Sequence, residues 1–183
     1  NGVFKTSPME VLGKSVIRAQ DQVTLELQHL GANFDVIKGS ALMKFDSNQD
    51  AVGVTMLSLH TVSGDDTQRV SFNGNAITDH YGMTTMANSV GQGLDPLMPF
   101  VKGKHIFVAS MNAPTTSGSV ALDGSDIRSN SKIKTWPTSL NYLVLGGSYG
   151  RGGPPGNMYI QEFALDKNIL SDAEVKELSK LTP

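Results

Sequence analysis

Aromatic and cationic side chains occur together in three polar segments of the chain. Trp136, the only tryptophan, lies in IKTWPTS, and Tyr149 and Arg151 lie in SYGRGGPPG. His80 and Tyr81 lie in TDHYGM. An aromatic ring offers a flat apolar face at low conformational cost, and arginine offers a rigid fork of donors. These residue types suit the apolar face and the hydroxyls of a sugar, so the five are the candidate ligand-binding residues.

The segments of Trp136 and of Tyr149 with Arg151 are the first choice for such a site, and His80 with Tyr81 the second. The structural alternative is that Trp136 packs against the edge of a sheet and that the other four residues anchor their loops. The four histidines show no i,i+2 or i,i+4 spacing, which argues against zinc. His29 and His105 stand at predicted strand ends, where a structural histidine is expected.

The acidic residues lack the spacing that a glycosidase requires. Retaining glycosidases place two carboxylates about 5–5.5 Å apart, which calls for acids two positions apart on one strand. The nearest pairs, Asp65–Asp66 and Asp123–Asp126, lie in turn-like sequence. Asp65 and Asp66 also suit calcium by type, but one acidic pair is a poor cage. The expectation is no catalytic residues, no metal site and no cofactor.

The bulk composition bounds the class of protein. The chain has 183 residues, 39% of them hydrophobic and 17% charged, with a formal net charge of -2. This length suits one domain over residues 1–183. Without a basic excess, nucleic acid is not an expected partner, and no apolar run approaches the ~20 residues that membrane insertion needs. The absence of cysteine excludes disulfides and thiol chemistry.

The first residue is Asn1, so the chain is expected to be a processed product or an excised fragment. What a parent protein contributes before this residue is not encoded here.

Alternation and turn residues predict an all-β fold. QVTLELQHL alternates as a half-buried strand, and AVGVTMLSLHTV has the composition of a strand buried on both faces. Two shorter strands are predicted around Phe34–Ile37 and Ala41–Phe45. Asn73–Gly74 predicts a hairpin turn, and residues 79–104 read as a long irregular stretch.

Strands resume after this stretch. KHIFVASMN is followed by GSVALDG, in which Val120 and Leu122 face inward before an Asp123–Gly124 turn. YLVLGGS and MYIQEFAL are the last two strands. Strands every 10–15 residues, joined by Gly, Asn and Asp turns, indicate a two-sheet antiparallel jelly-roll sandwich.

One short C-terminal helix is predicted at about 171–180. Ser171 is a favourable N-cap, and Glu174 completes a capping box with it. Leu170 and Val175 can form a hydrophobic staple. Val175, Leu178 and Leu181 repeat on one face, which predicts docking onto the sandwich.

The closing sequence, from YLVLGGS through GNMYIQEFALDKNILSDAEVKELSKL, resembles laminin G-like domains of the concanavalin A-like lectin/glucanase superfamily. The resemblance covers residues 104–181, and the matching positions are structural. They are Gly146, Gly147, Gly156, Ile160, Glu162, Phe163, Leu165, Leu170, Ser171, Asp172, Ala173, Glu174 and Leu178.

This resemblance implies a curved jelly roll with one concave face and a rim of long loops. Such domains are often glycan-binding or adhesion modules of extracellular or phage virion-surface proteins. The expected function is therefore non-catalytic recognition of a glycan or polysaccharide, on a cell-surface receptor for example. Oligomerisation is compatible with it.

Two alternatives follow from the same resemblance. One is a polysaccharide-degrading hydrolase or lyase, although QHL at 28–30 does not match the Gln-x-His motif of the superfamily's lyases. Arg128 and Tyr142 have the residue types for a lyase but no supporting spacing. The other alternative is a structural or oligomerising module of a phage tail or capsid.

Overall fold

The computed structural model describes residues 23–28, 38–47, 55–61, 68–75, 80–88, 90–94, 101–130, 136–137, 140–145 and 158–181. Eleven strands and one α-helix lie in these ranges. The strands are β1 Val23–Glu26, β2 Lys38–Ser47, β3 Thr55–His60, β4 Gln68–Asn75, β5 His80–Ala87, β6 Val90–Leu94, β7 Gly103–Asn112, β8 Ser117–Leu122, β9 Arg128–Asn130, β10 Tyr142–Leu145 and β11 Met158–Asp166. The helix α1 is Asp172–Leu178, and a short 3-10 turn, Ala113–Thr115, joins β7 to β8.

The strands form two sheets, and the pairs within both are antiparallel. The six-stranded sheet has the order β1-β10-β3-β4-β5-β6, and the five-stranded sheet has the order β11-β2-β7-β8-β9. Apolar side chains from both sheets form one buried cluster between them, and the rings of Phe72 and Phe107 meet edge to face at 5.0 Å. The predicted two-sheet antiparallel sandwich with one short helix is confirmed.

Several local predictions are also confirmed. β3 is buried on both faces from Leu57 to His60, and Val120 and Leu122 belong to the core. The turn after β8 places Asp123 and Gly124 at φ 51° and 71°. Aspartate and glycine tolerate positive φ at little cost, which explains this turn.

The hairpin predicted at Asn73–Gly74 is wrong. Both residues lie inside β4, where they pair with Gly82 and Tyr81 of β5. The ladder therefore continues to Asn75 opposite His80, and the connection between the two strands falls at 76–79, outside the described residues. Cross-strand hydrogen bonds through Gly74 took precedence over the local turn preference.

The irregular stretch predicted at 79–104 is also wrong in part, because β5, β6 and the start of β7 lie there. Ala87 pairs with Val90, so only two residues separate the strands. Asn88 has φ 49°, which is typical of such a tight hairpin. The strand candidate at Phe34–Ile37 lies outside the described residues.

The C-terminal helix begins as predicted. The Ser171 hydroxyl accepts a hydrogen bond from the Glu174 backbone amide at 3.3 Å, and the Glu174 carboxylate accepts one from the Ser171 amide at 2.8 Å. The Ser171 hydroxyl also donates to the Glu174 carboxylate at 2.7 Å, and this bond, followed by the one from the Ser171 amide, lowers the pKa of Glu174. Among the described residues, no helix has the length and apolar character needed to cross a membrane.

The docking face of α1 differs from the prediction. Val175 is fully buried against the outer side of the five-stranded sheet, with Ile106, Val108 and Ala121. Leu178 and Leu181 are 46% and 48% exposed, so the three-residue docking stripe is wrong. The helix has only seven residues, and Val175 is the one among them that is buried.

We expect Ser171→Ala to destabilise the fold more than Leu178→Ala. Loss of the N-cap costs about 0.5–2 kcal/mol, whereas truncation of a half-exposed leucine is expected to stay within about 0.5 kcal/mol. Urea melts of the two variants give the comparison. A larger loss for Leu178→Ala would show that α1 docks through its second turn.

Candidate functional site

Four polar residues on adjacent strands form one row across the six-stranded sheet. Glu26 pairs with Tyr142, Tyr142 with His60, and His60 with Arg69. Directly opposed residues of antiparallel strands have their Cβ atoms about 5 Å apart. The row, called here the polar row, therefore extends over three strand spacings, roughly 14 Å.

The polar row faces away from the sandwich core. Side chains alternate between the two faces of a strand, and the residues that flank the row belong to or pack against the core. These flanking residues are Leu25, Leu27, Leu59, Val70 and Leu143. The fold thus gives this sheet an apolar inner face and an outer face that is mainly polar, with Val144 and Ser58 fully buried beside the row.

Hydrogen bonds at the ends of the strands hold the polar row in register. The Leu27 amide donates to the Asn141 carbonyl at 2.8 Å, and the Asn141 amide donates to the His60 carbonyl at 2.7 Å. The ladder therefore extends past the ends of β1 and β10. At Tyr142, β10 is thus paired with Glu26 of β1 on one side and with His60 of β3 on the other.

Burial is graded along the polar row. His60 is fully buried, while Glu26, Tyr142 and Arg69 are half-buried. The next row contains the buried hydroxyls of Ser58 and Ser71. The four residues of the polar row all have further interactions in the structure. Within the described parts of the chain, however, His60 Nδ1 and Arg69 Nε are buried without a hydrogen-bond partner, which is costly. The row is therefore covered at His60 and partly open at its other three residues.

The residue types in the polar row can bind hydroxyls and a carboxylate. Arg69 supplies up to five N–H donors, Glu26 accepts, and Tyr142 adds an aromatic face with a hydroxyl at its edge. Within the described strands of this sheet, Glu26 is the only carboxylate. Two-carboxylate glycoside hydrolysis is therefore not assembled on the described part of this face.

Trp136 lies six residues before Tyr142 in the sequence. Its side chain is half-buried and packs against the core. The indole Nε1 is buried and has no hydrogen-bond partner within the described parts of the chain. Packing against the core is what the structural alternative for Trp136 expects.

Of the other four predicted site residues, His80 and Tyr81 lie in a described strand of the six-stranded sheet. His80 and Tyr81 are the first residues of β5, and only their backbone is described. Tyr149 and Arg151 lie outside the described residues, in the connection between Leu145 of β10 and Met158 of β11. That Trp136 and Tyr149–Arg151 share one rim therefore stays a prediction.

Arg128 and Tyr142, the two residues with lyase-compatible types, are on different sheets. Arg128 is on β9 in the five-stranded sheet, and Tyr142 is on β10 in the six-stranded sheet. Within the described residues, no group of three or more His, Asp or Glu side chains is placed to hold a metal ion. The calcium candidate Asp65–Asp66 lies outside the described residues.

Known proteins resemble the chain in structure rather than in sequence. No protein-family model and no curated protein matches it. The CBM40 of the Ruminococcus gnavus IT-sialidase, in a structure bound to α2,3 sialyllactose, has a TM-score of 0.66 at 15% identity, covering 91% of this chain and 97% of that one. Domain 4 of AbnA, a GH43 extracellular arabinanase from Geobacillus stearothermophilus in complex with arabinotriose, has a TM-score of 0.64 at 13% identity, covering 79% and 67%.

A leech intramolecular trans-sialidase is also similar, with a TM-score of 0.65 at 15% identity over 81% of this chain, but only 24% of the enzyme is covered. Identities this low establish the fold alone. The chain therefore shares the two-sheet β-sandwich fold of these domains.

Proposed function

We propose that this chain is a non-catalytic carbohydrate-binding module whose ligand contacts the half-buried residues of the polar row, which are Glu26, Tyr142 and Arg69. The row itself is the observation that carries the proposal, because it places a cation, a carboxylate, an imidazole and a phenol in register on one sheet face. Support comes from the shared fold with domains whose structures contain sialyllactose or arabinotriose.

The chemistry of the polar row suggests a direction for the ligand. Arg69 and Glu26 stand at opposite ends, so an acidic or hydroxyl-rich group fits the Arg69 end and hydroxyl donors fit the Glu26 end. Sialyllactose is a suitable acidic probe, and lactose is its neutral counterpart. Arabino-oligosaccharides test a second, neutral class.

A polysaccharide lyase is the second candidate, and one observation favours it. Tyr142 and Arg69 lie on either side of His60, which places a phenol and a cation, both half-buried, on one face of the sheet. Such groups can remove a proton and stabilise the resulting charge. Release of unsaturated product from a uronate polysaccharide, lost in Tyr142→Phe, would support this candidate over simple binding.

The setting of the module is a further part of the proposal. The closing strand–elbow–helix motif supports a laminin G-like domain of an extracellular or phage virion-surface protein, acting in adhesion to a glycan or a glycosylated receptor. The third candidate, a structural module of a phage tail or capsid, would show self-association in light scattering without glycan binding.

We expect Tyr142→Ala to weaken glycan binding by at least about fivefold, since truncation of a contacting tyrosine costs more than about 1 kcal/mol. A glycan array selects the ligand, and titration calorimetry compares the variants. Tyr159→Ala is the matched control, because Tyr159 is an exposed tyrosine on β11 of the other sheet. Equal affinities for the two variants would remove the polar row from the site.

A further inference from the structure

His105 is a buried histidine at the inner side of β7 that the proposed site does not use. It is 4% exposed, and its ring lies 5.3 Å from the ring of Phe45 in a tilted arrangement. Its neighbours on the same face of β7 are Phe107 and Ala109 of the core. A polar ring in this position requires hydrogen-bond partners.

Both ring nitrogens of His105 face oxygen atoms. Nδ1 lies 2.7 Å from Oδ2 of Asp123, and Nε2 lies 2.7 Å from the carbonyl oxygen of Val101. A carbonyl oxygen only accepts, and so does an ionised carboxylate, whereas a neutral imidazole has a single N–H. Two hydrogen bonds at these oxygens need two protons. A neutral imidazole and an ionised carboxylate together hold only one.

Asp123 is itself fixed on two sides. Its Oδ1 accepts a hydrogen bond from the Ile106 amide at 2.8 Å, and its own amide donates to the Ile106 carbonyl at 3.0 Å. The following amide, of Gly124, donates to the Ser179 hydroxyl at 3.1 Å. The turn after β8 is thereby attached both to β7 and to the C-terminal end of α1.

We propose that His105 and Asp123 form a proton-dependent clamp that fastens the chain before β7 to the turn after β8, and through that turn to α1. The doubly protonated ring makes both hydrogen bonds, and loss of one proton removes one of them. The clamp goes beyond the proposed function and needs no ligand.

The charged groups around His105 favour the protonated ring. Burial lowers the pKa of His105, but the hydrogen bonds to Asp123 and Val101 and the charges of Asp123 and Asp46 outweigh it, so the pKa lies above 6.5. Lys104 is its neighbour on β7, Lys102 precedes the strand, and Asp126 beyond the turn pairs with Lys176 at 3.0 Å.

The direction of the pH effect follows from this raised pKa. The folded state holds the proton more tightly than the unfolded state, so the stabilisation is fully present below about pH 6.5, the ordinary value for histidine. It is lost as the pH rises through the pKa of His105 in the folded protein. The clamp is therefore closed in mildly acidic solution and open in alkaline solution.

NMR titration of the full chain tests the clamp. We expect ring nitrogen shifts that show both nitrogens of His105 protonated below a midpoint higher than 6.5. Amide-exchange protection factors of Asp123 and Gly124 should fall as the pH rises through this midpoint. The protection factor of Val70, in the core of the other sheet, should not follow it.

Two variants give matched comparisons. Asp123→Asn keeps an acceptor for the Ile106 amide but removes the charge, so the midpoint of His105 should move down, whereas Asp126→Asn should leave it unchanged. His105→Gln should abolish the pH dependence of the Asp123 and Gly124 amides. If this variant does not fold, the Asp123→Asn variant and the wild-type titration still test the clamp. Either of two results would overturn the clamp. One is a wild-type midpoint of His105 at or below 6.5, and the other is an amide-exchange protection factor of Asp123 that does not change with pH.

Discussion

Substitution of Gly39 by alanine is expected to destabilise the fold by about 2–6 kcal/mol. This glycine has φ 148°, and an added Cβ would meet the Asp166 carbonyl oxygen at 2.4 Å. Positive φ costs a non-glycine residue about 1–3 kcal/mol, and overpacking adds about 1–3 kcal/mol. Because the atom in the way belongs to the backbone of β11, relief requires that β11 move away from β2.

Gly103→Ala is the matched control for this variant. Gly103 has φ 136°, but nothing lies within 4 Å of the position that its Cβ would take. It should therefore show the strain of positive φ, about 1–3 kcal/mol, without the overlap. Denaturant melts of both variants isolate the close approach between β2 and β11. Equal losses in the two variants would show that the backbone at Asp166 yields freely.

Gly39 also bears on why this β-sandwich ends in an elbow and a helix. β11 ends at Asp166, and the Asp166 carboxylate accepts a hydrogen bond from the Asn168 amide at 2.7 Å. The Leu170 amide then donates to the Ser110 hydroxyl on β7 at 3.0 Å. The close approach at Gly39 thus lies where the chain leaves the sheet edge and turns towards α1.

The ending of the chain was predictable because its signals are local. A capping box lies within four consecutive residues, so Ser171 and Glu174 identify the start of α1 without knowledge of the rest of the fold. Whether Leu178 is buried depends on how far the helix extends over β7 and β8. That is a tertiary property, and periodicity alone gave the wrong answer for Leu178 and Leu181.

The polar row was not predictable in the same way. Its members come from β1, β10, β3 and β4, and β10 lies between β1 and β3 although it is far from both in sequence. The alternation of Leu25 and Glu26, or of Leu59 and His60, shows that each strand has a polar position. Which polar positions meet depends on strand order and register, and the alternation within each strand reveals neither.

The five residues first proposed for binding were chosen by residue type, which does not determine where a side chain lies in the fold. Trp136 was selected for its type, and the structure places its ring partly in the core. His80 and Tyr81 lie in a strand rather than in a loop, because β4 and β5 pair further than the Asn73–Gly74 signal indicated. Residue type identifies candidates, but the face on which a strand presents a side chain determines whether it can contact a ligand.

Replacement of Arg69 by alanine is expected to weaken binding of an acidic glycan by about 10- to 100-fold. A hydrogen bond to a charged group contributes about 1.5–3 kcal/mol, and each 1.4 kcal/mol corresponds to about a factor of ten in affinity. Arg69 is half-buried beside His60 on the outer face of β4, where screening by water is weaker than at an exposed site. Titration calorimetry with the acidic probe measures this loss.

The control variants separate charge, geometry and location. Arg69→Lys keeps the charge but loses the planar fork, so its affinity should fall between those of the wild type and Arg69→Ala. Arg128→Ala removes an exposed arginine from β9 of the other sheet and should leave the affinity unchanged. Thermal melts of each variant verify that it is folded.

Comparison of the acidic probe with its neutral counterpart then identifies what Arg69 contacts. If the guanidinium pairs with a carboxylate, Arg69→Ala should lose most of the preference for the acidic glycan and change the affinity for the neutral one little. A uniform loss for both glycans would place Arg69 on hydroxyls that they share. Unchanged affinity for both would contradict binding at the Arg69 end of the polar row, while a loss confined to Tyr142→Ala would keep the site at the β10 end.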